Sequence, residues 1–245
     1  MQLQTTKALV LKTVKYGETS AIVKMLTLKY GLQTFILKGV YATGKRKSQK
    51  AVYLQPAALL DITFSYNPNK QLQYLQQLVF TCVYQRIYSN VAVHSIVLFM
   101  VEVLSQVLQQ PEPNEELFEW LESFLLDLDR NETKKTAIIP LVFLLQLAIQ
   151  LGIGLHVADD LLDNQAIYFN IKDGQIANKL PEHPVWISGE AVYLIIACMD
   201  YASKNGIATK ATRNTALDAM LQFYSVHVPE FKPLKTLPIL QQLFD

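Results

Sequence analysis

A short basic stretch, residues 38–50, carries side chains that could bind an anion. It reads KGVYATGKRKSQK and contains no acidic residue. Its cationic side chains are Lys38, Lys45, Arg46, Lys47 and Lys50. Clustered lysine and arginine side chains are suited to the neutralisation of phosphate groups. The first question is therefore which phosphate-bearing ligand this stretch would bind.

The same stretch comes close to the P-loop of nucleotide-binding proteins. Gly39, Gly44 and Lys45 fit the GxxxxGK pattern, but Arg46 stands where the motif needs a Ser or Thr hydroxyl for magnesium. A P-loop also opens a helix, whereas the residues after this stretch are polar and then strand-like. The pattern therefore argues against binding of a nucleoside triphosphate.

A second candidate is the acidic cluster DDLLD, which contains Asp159, Asp160 and Asp163. On a helix these three carboxylates would share a face and could bind a hard cation such as magnesium. No second acidic motif of this kind occurs in the chain, which favours a solvated helix end. A magnesium-dependent enzyme stays open as an alternative.

Other catalytic and metal-binding patterns are missing from the sequence. The four histidines are scattered, and neither HExxH nor GxSxG occurs. Cys82 and Cys198 lie far apart, so we expect two buried thiols rather than a disulfide or a thiolate metal site. We therefore predict a protein that is not an enzyme and has no cofactor.

The basic stretch lies among segments that are typical of short β-strands. They are rich in Val, Ile, Thr, Phe and Tyr and are separated by turn signals such as Gly17 and the NPN at 67–69. The predicted strands are 5–15, 20–29, 32–40, 53–66 and 70–78. Five short strands with a polar connection before the fourth predict an OB-fold β-barrel over residues 1–80.

From about residue 80 the apolar residues repeat with a helical period. The predicted helices are 81–109, 114–130, 137–151, 188–204, 208–226 and 234–243, and Asn114 is a candidate N-cap. Residues 154–186 are irregular, with a short hairpin expected around Asp173 and Gly174. The prediction is an α+β protein whose barrel is followed by an all-α domain over residues 81–245. Two long apolar stretches, 91–108 and 137–155, are expected to be buried helices rather than membrane spans. The first residues, MQLQTTKALVLK, do not show the pattern of a signal peptide, so we expect a cytoplasmic location.

Charge is distributed unevenly between the two parts. Residues 1–80 contain ten lysines and one arginine against Glu18 and Asp61, whereas residues 81–245 contain eleven cationic residues against nineteen carboxylates. Phe35 precedes the basic stretch by three positions, and Tyr41 lies within it. Cations for phosphates and aromatic faces for bases are what single-stranded nucleic acid requires. We therefore expect the barrel to bind nucleic acid, and RNA stays open as an alternative to DNA.

Several motifs resemble those of a known family. They are YGETS at 16–20, LTLKYGLQTFILKGV at 26–40, KSQKAVYLQPAALLDI at 47–62 and RNTALDAMLQFYSVHVPEFKPLKTLPIL at 213–240. In their order and spacing they resemble the RecO family of recombination mediators. The resemblance covers both halves of the chain and implies an OB-fold followed by a helical domain.

The resemblance also implies a function in recombinational DNA repair. Family members bind single- and double-stranded DNA, anneal complementary strands and act with RecR to load RecA, without consuming nucleotide. They contact the acidic C-terminal tail of single-strand-binding protein through the helical domain, and their expected place is the cytoplasm, associated with the nucleoid.

The expected site residues follow from the basic barrel and from this resemblance. The predicted DNA-binding residues are Lys38, Lys45, Arg46, Lys47, Lys50, Lys12, Lys24, Phe35 and Tyr41. Phe35 and Tyr41 are the candidates for stacking on bases, with a place in the barrel core as the alternative for either. The predicted partner-binding residues are Tyr224, His227, Lys232 and Lys235.

One departure from the family concerns zinc. Many relatives carry a zinc-binding cysteine cluster in the part of the chain that corresponds to 154–186, and those cysteines are missing here. We therefore predict no zinc in this segment. Apolar residues are expected to hold it together instead, namely Leu155, Leu161, Leu162, Tyr168, Phe169 and Trp186.

Overall fold

The computed structural model describes residues 2–42, 50–109, 111–130, 136–161, 165–199 and 208–244. The chain divides into two compact units, residues 1–132 and 133–245. Each unit contains both strands and helices.

The first unit begins with a closed five-stranded barrel, which confirms the predicted OB-fold. The strand order is β1-β2-β3-β5-β4, and only the β3–β5 pair is parallel. The strands are β1 (Gln2–Tyr16), β2 (Ser20–Thr27), β3 (Gly31–Leu37), β4 (Leu59–Tyr66) and β5 (Leu72–Phe80).

Alternating side chains fill the barrel. Val23, Met25 and Phe35 are entirely buried, while their sequence neighbours point to the outer face. The Phe35 ring packs edge-to-face on Phe64 with 5.1 Å between ring centroids. This alternation explains why the strand pattern was readable from the sequence.

The predicted strand 53–66 is wrong in its first half. A 3₁₀ turn occupies Lys50–Leu54, and β4 begins only at Leu59. Pro56 and Ala57 interrupt an extended run, since Ala57 has a positive φ of 62°. The N–H of Ala57 donates to the carbonyl of Val10 at 2.8 Å, which binds this turn to β1.

The predicted helix 81–109 begins ten residues later than expected. Helix α1 spans Val91–Val107, and the Asn90 side chain accepts a hydrogen bond from Val93 N–H. The preceding residues are held by Asp129, whose carboxylate accepts the backbone N–H groups of residues 85–87 at 2.7 to 2.9 Å. A carboxylate more than forty positions away in sequence thus takes the backbone N–H groups that a helix would use there.

Helix α2 spans Glu115–Arg130 and starts where its sequence predicts. The Asn114 side chain accepts a hydrogen bond from Leu117 N–H at 2.9 Å, which confirms the N-cap. The change from strand to helix falls near residue 80, whereas the compact units divide at 132 and 133. Contacts such as the ion pair between Lys7 of β1 and Glu122 of α2, at 2.9 Å, join these helices to the barrel.

The second unit, residues 133–245, is only the C-terminal part of the predicted all-α domain 81–245, and besides helices it contains a four-stranded sheet of order β6-β8-β7-β9. The predicted hairpin is confirmed, because β7 and β8 pair antiparallel around residues 171–174. The helices are α3 (Ile139–Gln150), α4 (Glu190–Met199), α5 (Lys210–His227) and α6 (Leu237–Leu243). The strands are β6 (His156–Val157), β7 (Tyr168–Asn170), β8 (Gln175–Ala177) and β9 (Trp186–Ser188).

Apolar packing holds the segment 154–186, as predicted, although the central residues are partly different. Phe169 is fully buried and Tyr168 contacts Trp186 edge-to-face, whereas Leu155 and Leu161 are only half-buried. Leu162 lies outside the described residues. The sequence interpretation missed the isoleucines of this core, which are Ile167, Ile171 and Ile176.

The two long apolar stretches form buried helices. Every residue of α3 from Ile139 to Leu145 is buried. None of the helices in the described parts of the chain is long and apolar enough to cross a bilayer.

Candidate nucleic-acid interface

Three rows of side chains cross the outer face of β1, β2, β3 and β5, because the strand register aligns outward-pointing residues. The lysine row consists of Lys12, Lys24, Thr34 and Leu72. The apolar row consists of Val14, Ile22, Ile36 and Tyr74. The third row consists of Tyr16, Ser20 and, directly after β3, Lys38. Outward-facing strands of an OB-fold are a common surface for oligonucleotide binding.

Two like charges face each other in the lysine row. Lys12 is exposed and Lys24 is half-buried, and the two residues are direct partners across β1 and β2. Burial lowers the pKa of Lys24 below its usual value, and the charge of Lys12 lowers it further. Like charges directly opposite on a sheet are destabilising unless an anion lies between them. This pair is therefore an electrostatic cost that a bound phosphate would relieve.

Two further lysines lie beside tyrosine rings. The Lys38 Nζ lies 5.5 Å from the Tyr74 ring centroid, and the Lys15 Nζ lies 5.8 Å from that of Tyr41. Tyr74 is 44% exposed, whereas Tyr41 is half-buried and packs on the barrel core. Tyr74 is thus better placed than Tyr41 to offer a ring to a base.

A groove of about 650 Å³ extends the lysine row towards the β4–β5 loop. It contains the cationic side chains of Lys24, Lys29 and Lys70, and the rings of Tyr30 and Tyr66 line it. None of the described residues that line this groove is acidic. The loop between the fourth and fifth strands is one of the two loops that OB-folds use to bind nucleic acid.

One wall of the groove depends on Gly31. This residue has a positive φ of 59°, and the backbone oxygens of Pro111 and Glu112 occupy the space that a Cβ atom would need. Pro111 and Pro113 line the groove. A side chain at position 31 would therefore displace this wall.

The structure brings together part of the predicted DNA-binding set. Lys12, Lys24 and Lys38 lie on one outer face of the barrel, and Lys50 is exposed at the start of the 3₁₀ turn. The three central cations of the basic stretch, Lys45, Arg46 and Lys47, lie outside the described residues.

Phe35 corrects the predicted DNA-binding set. It was a candidate for stacking on a base, with the barrel core as the alternative, and its ring is fully buried in that core, where it packs on Phe64. Its side chain has no accessible face, so it supports the barrel that carries the lysines.

The sequence interpretation missed four residues of this face and groove. They are Lys29, Tyr30, Lys70 and Tyr74. Their signal was available in part: Lys70 follows the predicted NPN turn, and Tyr74 alternates with the inward-facing Gln73 and Leu75.

The predicted partner-binding residues in the second unit divide into two groups. Tyr224 is fully buried and donates its hydroxyl hydrogen bond to the Leu144 carbonyl at 2.8 Å, and burial raises its pKa. Tyr224 is therefore a core residue, which corrects its predicted contact with a partner. His227 is half-buried with its ring 4.2 Å from that of Phe223. Lys232 and Lys235 are exposed beyond the end of α5.

The acidic cluster does not form the helix face that magnesium binding would need. Asp159 and Asp160 lie in an exposed turn, and Asp163 lies outside the described residues. Across the described ranges, no three His, Cys, Asp or Glu side chains gather as a metal site.

Comparisons with known proteins agree with this architecture. The family described as Recombination protein O N terminal matches residues 1–83, and the one described as Recombination protein O C terminal matches residues 91–238.

Relatives named DNA repair protein RecO align along the whole chain. The protein of Christiangramia forsetii is 32% identical over 242 residues, which are 98% of each chain. The protein of Flavobacterium johnsoniae is 28% identical over 250 residues, and the alignment covers 100% of each chain. That of Bacteroides fragilis is 28% identical over 247 residues, 99% of this chain and 100% of its own. With both family matches and full-length relatives, the chain belongs to the RecO family of DNA repair proteins.

Proposed function

We propose that this protein is a recombination mediator that binds single- and double-stranded DNA through its barrel and anneals complementary single strands. The observation that carries the proposal is the outer barrel face, where Lys12, Lys24 and Lys38 project beside a groove that holds two more lysines. Its family membership supports a role in DNA repair.

The proposed action is electrostatic rather than covalent. Two complementary strands repel each other through their phosphates, and a surface with several cations lowers that repulsion when both strands are bound. The opposed Lys12 and Lys24 are predisposed to accept a phosphate, because an anion between them offsets their own repulsion. The protein would thus bring strands together without nucleotide hydrolysis.

Salt dependence tests this proposal. The cations concerned are Lys12, Lys24, Lys29, Lys38 and Lys70. If about five phosphates are neutralised, the logarithm of affinity for single strands should fall with the logarithm of salt concentration at a slope near −3.5. Replacing all five lysines by glutamine should flatten the slope, whereas the control Lys172→Gln, an exposed lysine of the second unit, should not. Binding that does not depend on salt would refute the proposal.

The choice between DNA and RNA needs a separate measurement. Single-stranded DNA and RNA of equal length and sequence should compete for the protein, and a mediator of DNA repair should favour the DNA. A clear preference for RNA would replace the proposed function by RNA binding.

We also propose that the second unit binds proteins. By family membership the expected partners are RecR and the acidic C-terminal tail of single-strand-binding protein, with RecA loaded as an indirect result, in the cytoplasm at the nucleoid. Lys232 and Lys235 are exposed, follow His227 within eight positions of the sequence, and carry the charge that an acidic tail would need. Charge reversal at both lysines should weaken binding of a tail peptide, while reversal at Lys172 should not. Unchanged binding after reversal at both lysines would exclude this surface.

A further inference from the structure

The apolar row on the outer barrel face is exposed at both of its ends. Val14 is 48% exposed and Tyr74 is 44% exposed, whereas Ile22, half-buried, and Ile36, 8% exposed, lie in register between them. The core is filled by the alternate residues of the same strands. Outward positions of a half-solvated strand are normally polar, so the two exposed side chains of this row, Val14 and Tyr74, need another explanation.

Cations flank the apolar row on both sides. Lys12 and Lys24 occupy the lysine row on one side, and Lys38 occupies the third row on the other, with its Nζ near the Tyr74 ring. None of the residues in these three rows, all of them described, is acidic. Because the flanking side chains are cationic, charge complementarity favours a polyanion as the occupant over a protein surface that is neutral or has few acidic residues.

The spacing of the rows matches the two parts of a nucleotide. Outward residues two positions apart on a strand are separated by about 7 Å, which is the scale of the distance between a base and its phosphate. A strand of nucleic acid that runs across β1, β2, β3 and β5 could therefore place bases on one row and phosphates on the next.

We propose that this face binds an unpaired strand with its bases against the apolar row, where Tyr74 stacks on a base, and its phosphates at Lys12 and Lys24. The inference rests on the proposed binding of nucleic acid by the barrel and adds the orientation of the strand. Bases inside a duplex are already stacked and cannot reach Tyr74, so the apolar row selects unpaired over paired strands. The lysine row contributes to the binding of both unpaired and paired strands.

The test measures the affinity of full-length variants for two ligands, an oligo(dT) of about 16 nucleotides and a duplex of equal length. About 16 nucleotides is the upper end of the site size of one OB-fold. Tyr74→Ala should weaken oligo(dT) binding roughly fivefold to a hundredfold, the range found when one stacking aromatic is lost, and leave duplex binding unchanged. Tyr74→Phe should retain binding because the ring remains. Lys12→Gln should weaken binding of both ligands.

A matched control and a direct readout of stacking complete the experiment. Tyr193, 49% exposed on α4, provides a similarly exposed tyrosine in the second unit, and Tyr193→Ala should change neither affinity. 2-Aminopurine in the single strand should change in fluorescence on binding to wild type and Tyr74→Phe, and much less on binding to Tyr74→Ala. Because Tyr74 is outside the core, circular dichroism of the variants should match that of wild type.

The outcomes separate the two proposals. If Tyr74→Ala weakens neither ligand, or both equally, while Lys12→Gln weakens both, the base-inward orientation is wrong and nucleic-acid binding by the barrel stands. If Lys12→Gln and the five-lysine variant leave both affinities unchanged, binding by this face is itself refuted. Should the apolar row instead bind a protein, Tyr74→Ala would leave oligo(dT) affinity intact, which also overturns the inference.

Discussion

Removing the charge of Lys24 should make the free protein more stable and its complex with DNA weaker. Lys24 lies directly opposite Lys12 on β1 and is half-buried. Like charges at such a position destabilise a sheet by up to about 1 kcal/mol, so Lys24→Gln should raise the free energy of unfolding by ~0.5 kcal/mol. Most single substitutions are destabilising, which makes a gain in stability a discriminating result.

The same substitution removes one phosphate contact. Counterion release from a single strand contributes a slope of about 0.7 per contact. At 0.1 M salt, one contact therefore accounts for roughly a fivefold difference in affinity. Lys24→Gln should lower the affinity by this factor and reduce the magnitude of the salt slope by about 0.7.

The pH dependence has a defined sign. The pKa of Lys24 in the folded protein is lowered, first by burial and then by Lys12, whereas in the unfolded chain it is near 10.5. The unfolded state therefore holds more protons between these two values, and wild-type stability rises with pH through that window. The stability advantage of Lys24→Gln should be full at neutral pH and should fade as the pH approaches 10.5.

Urea denaturation and fluorescence anisotropy with labelled oligo(dT) measure the two effects. A double-mutant cycle adds the coupling: Lys12→Gln relieves the same repulsion, so the two gains in stability should not add. Lys172→Gln is the control for the loss of an exposed charge. A loss of stability in Lys24→Gln would refute the predicted repulsion between the two lysines, and a salt slope unchanged from wild type would refute the predicted phosphate contact.

Three further predictions concern stability. Gly31→Ala should destabilise the first unit far more than Gly17→Ala. Both glycines have a positive φ, which costs an alanine about 1–2 kcal/mol, but of the two only Gly31 also faces the backbone of residues 111–112. Equal losses of stability in urea denaturation would contradict this prediction. Asp129→Ala should cost more than ~2 kcal/mol because it removes the acceptor of three backbone N–H groups, and Asp129→Asn should cost less because one carbonyl oxygen remains. Tyr224→Phe should lower the free energy of unfolding by about 1–2 kcal/mol through loss of its buried hydrogen bond, and an unchanged urea midpoint would show that this hydroxyl is not needed.

The architecture was largely predictable because its signals are local. Alternation of apolar residues revealed the five strands, and an Asn before an amphipathic run revealed the N-cap at Asn114. The errors occur where distant residues compete with local preference. Residues 85–87 do not continue a helix because Asp129, more than forty positions away, binds their N–H groups.

The candidate site was predictable in chemistry but only partly in membership. A surplus of lysines in the first 80 residues indicated that the ligand is a polyanion. The pairing of Lys12 with Lys24 and the exposure of Tyr74 depend on strand register, and the burial of Phe35 depends on which face of its strand turns inwards. An aromatic residue beside a basic stretch has the same sequence pattern in either orientation.

The amino-acid sequence by itself determined the strand and helix periods, the uneven charge and the family, because each is a property of residue types in order. Only the tertiary structure decided which side chains share a face. Pairing of β1 with β2, β2 with β3 and β3 with β5 aligns Val14, Ile22, Ile36 and Tyr74 into one row, with Lys12 and Lys24 beside it. That arrangement follows from hydrogen-bond register between strands that can be distant in sequence, as Ile36 and Tyr74 are, and a one-residue slip of a strand would turn its outward residues towards the core.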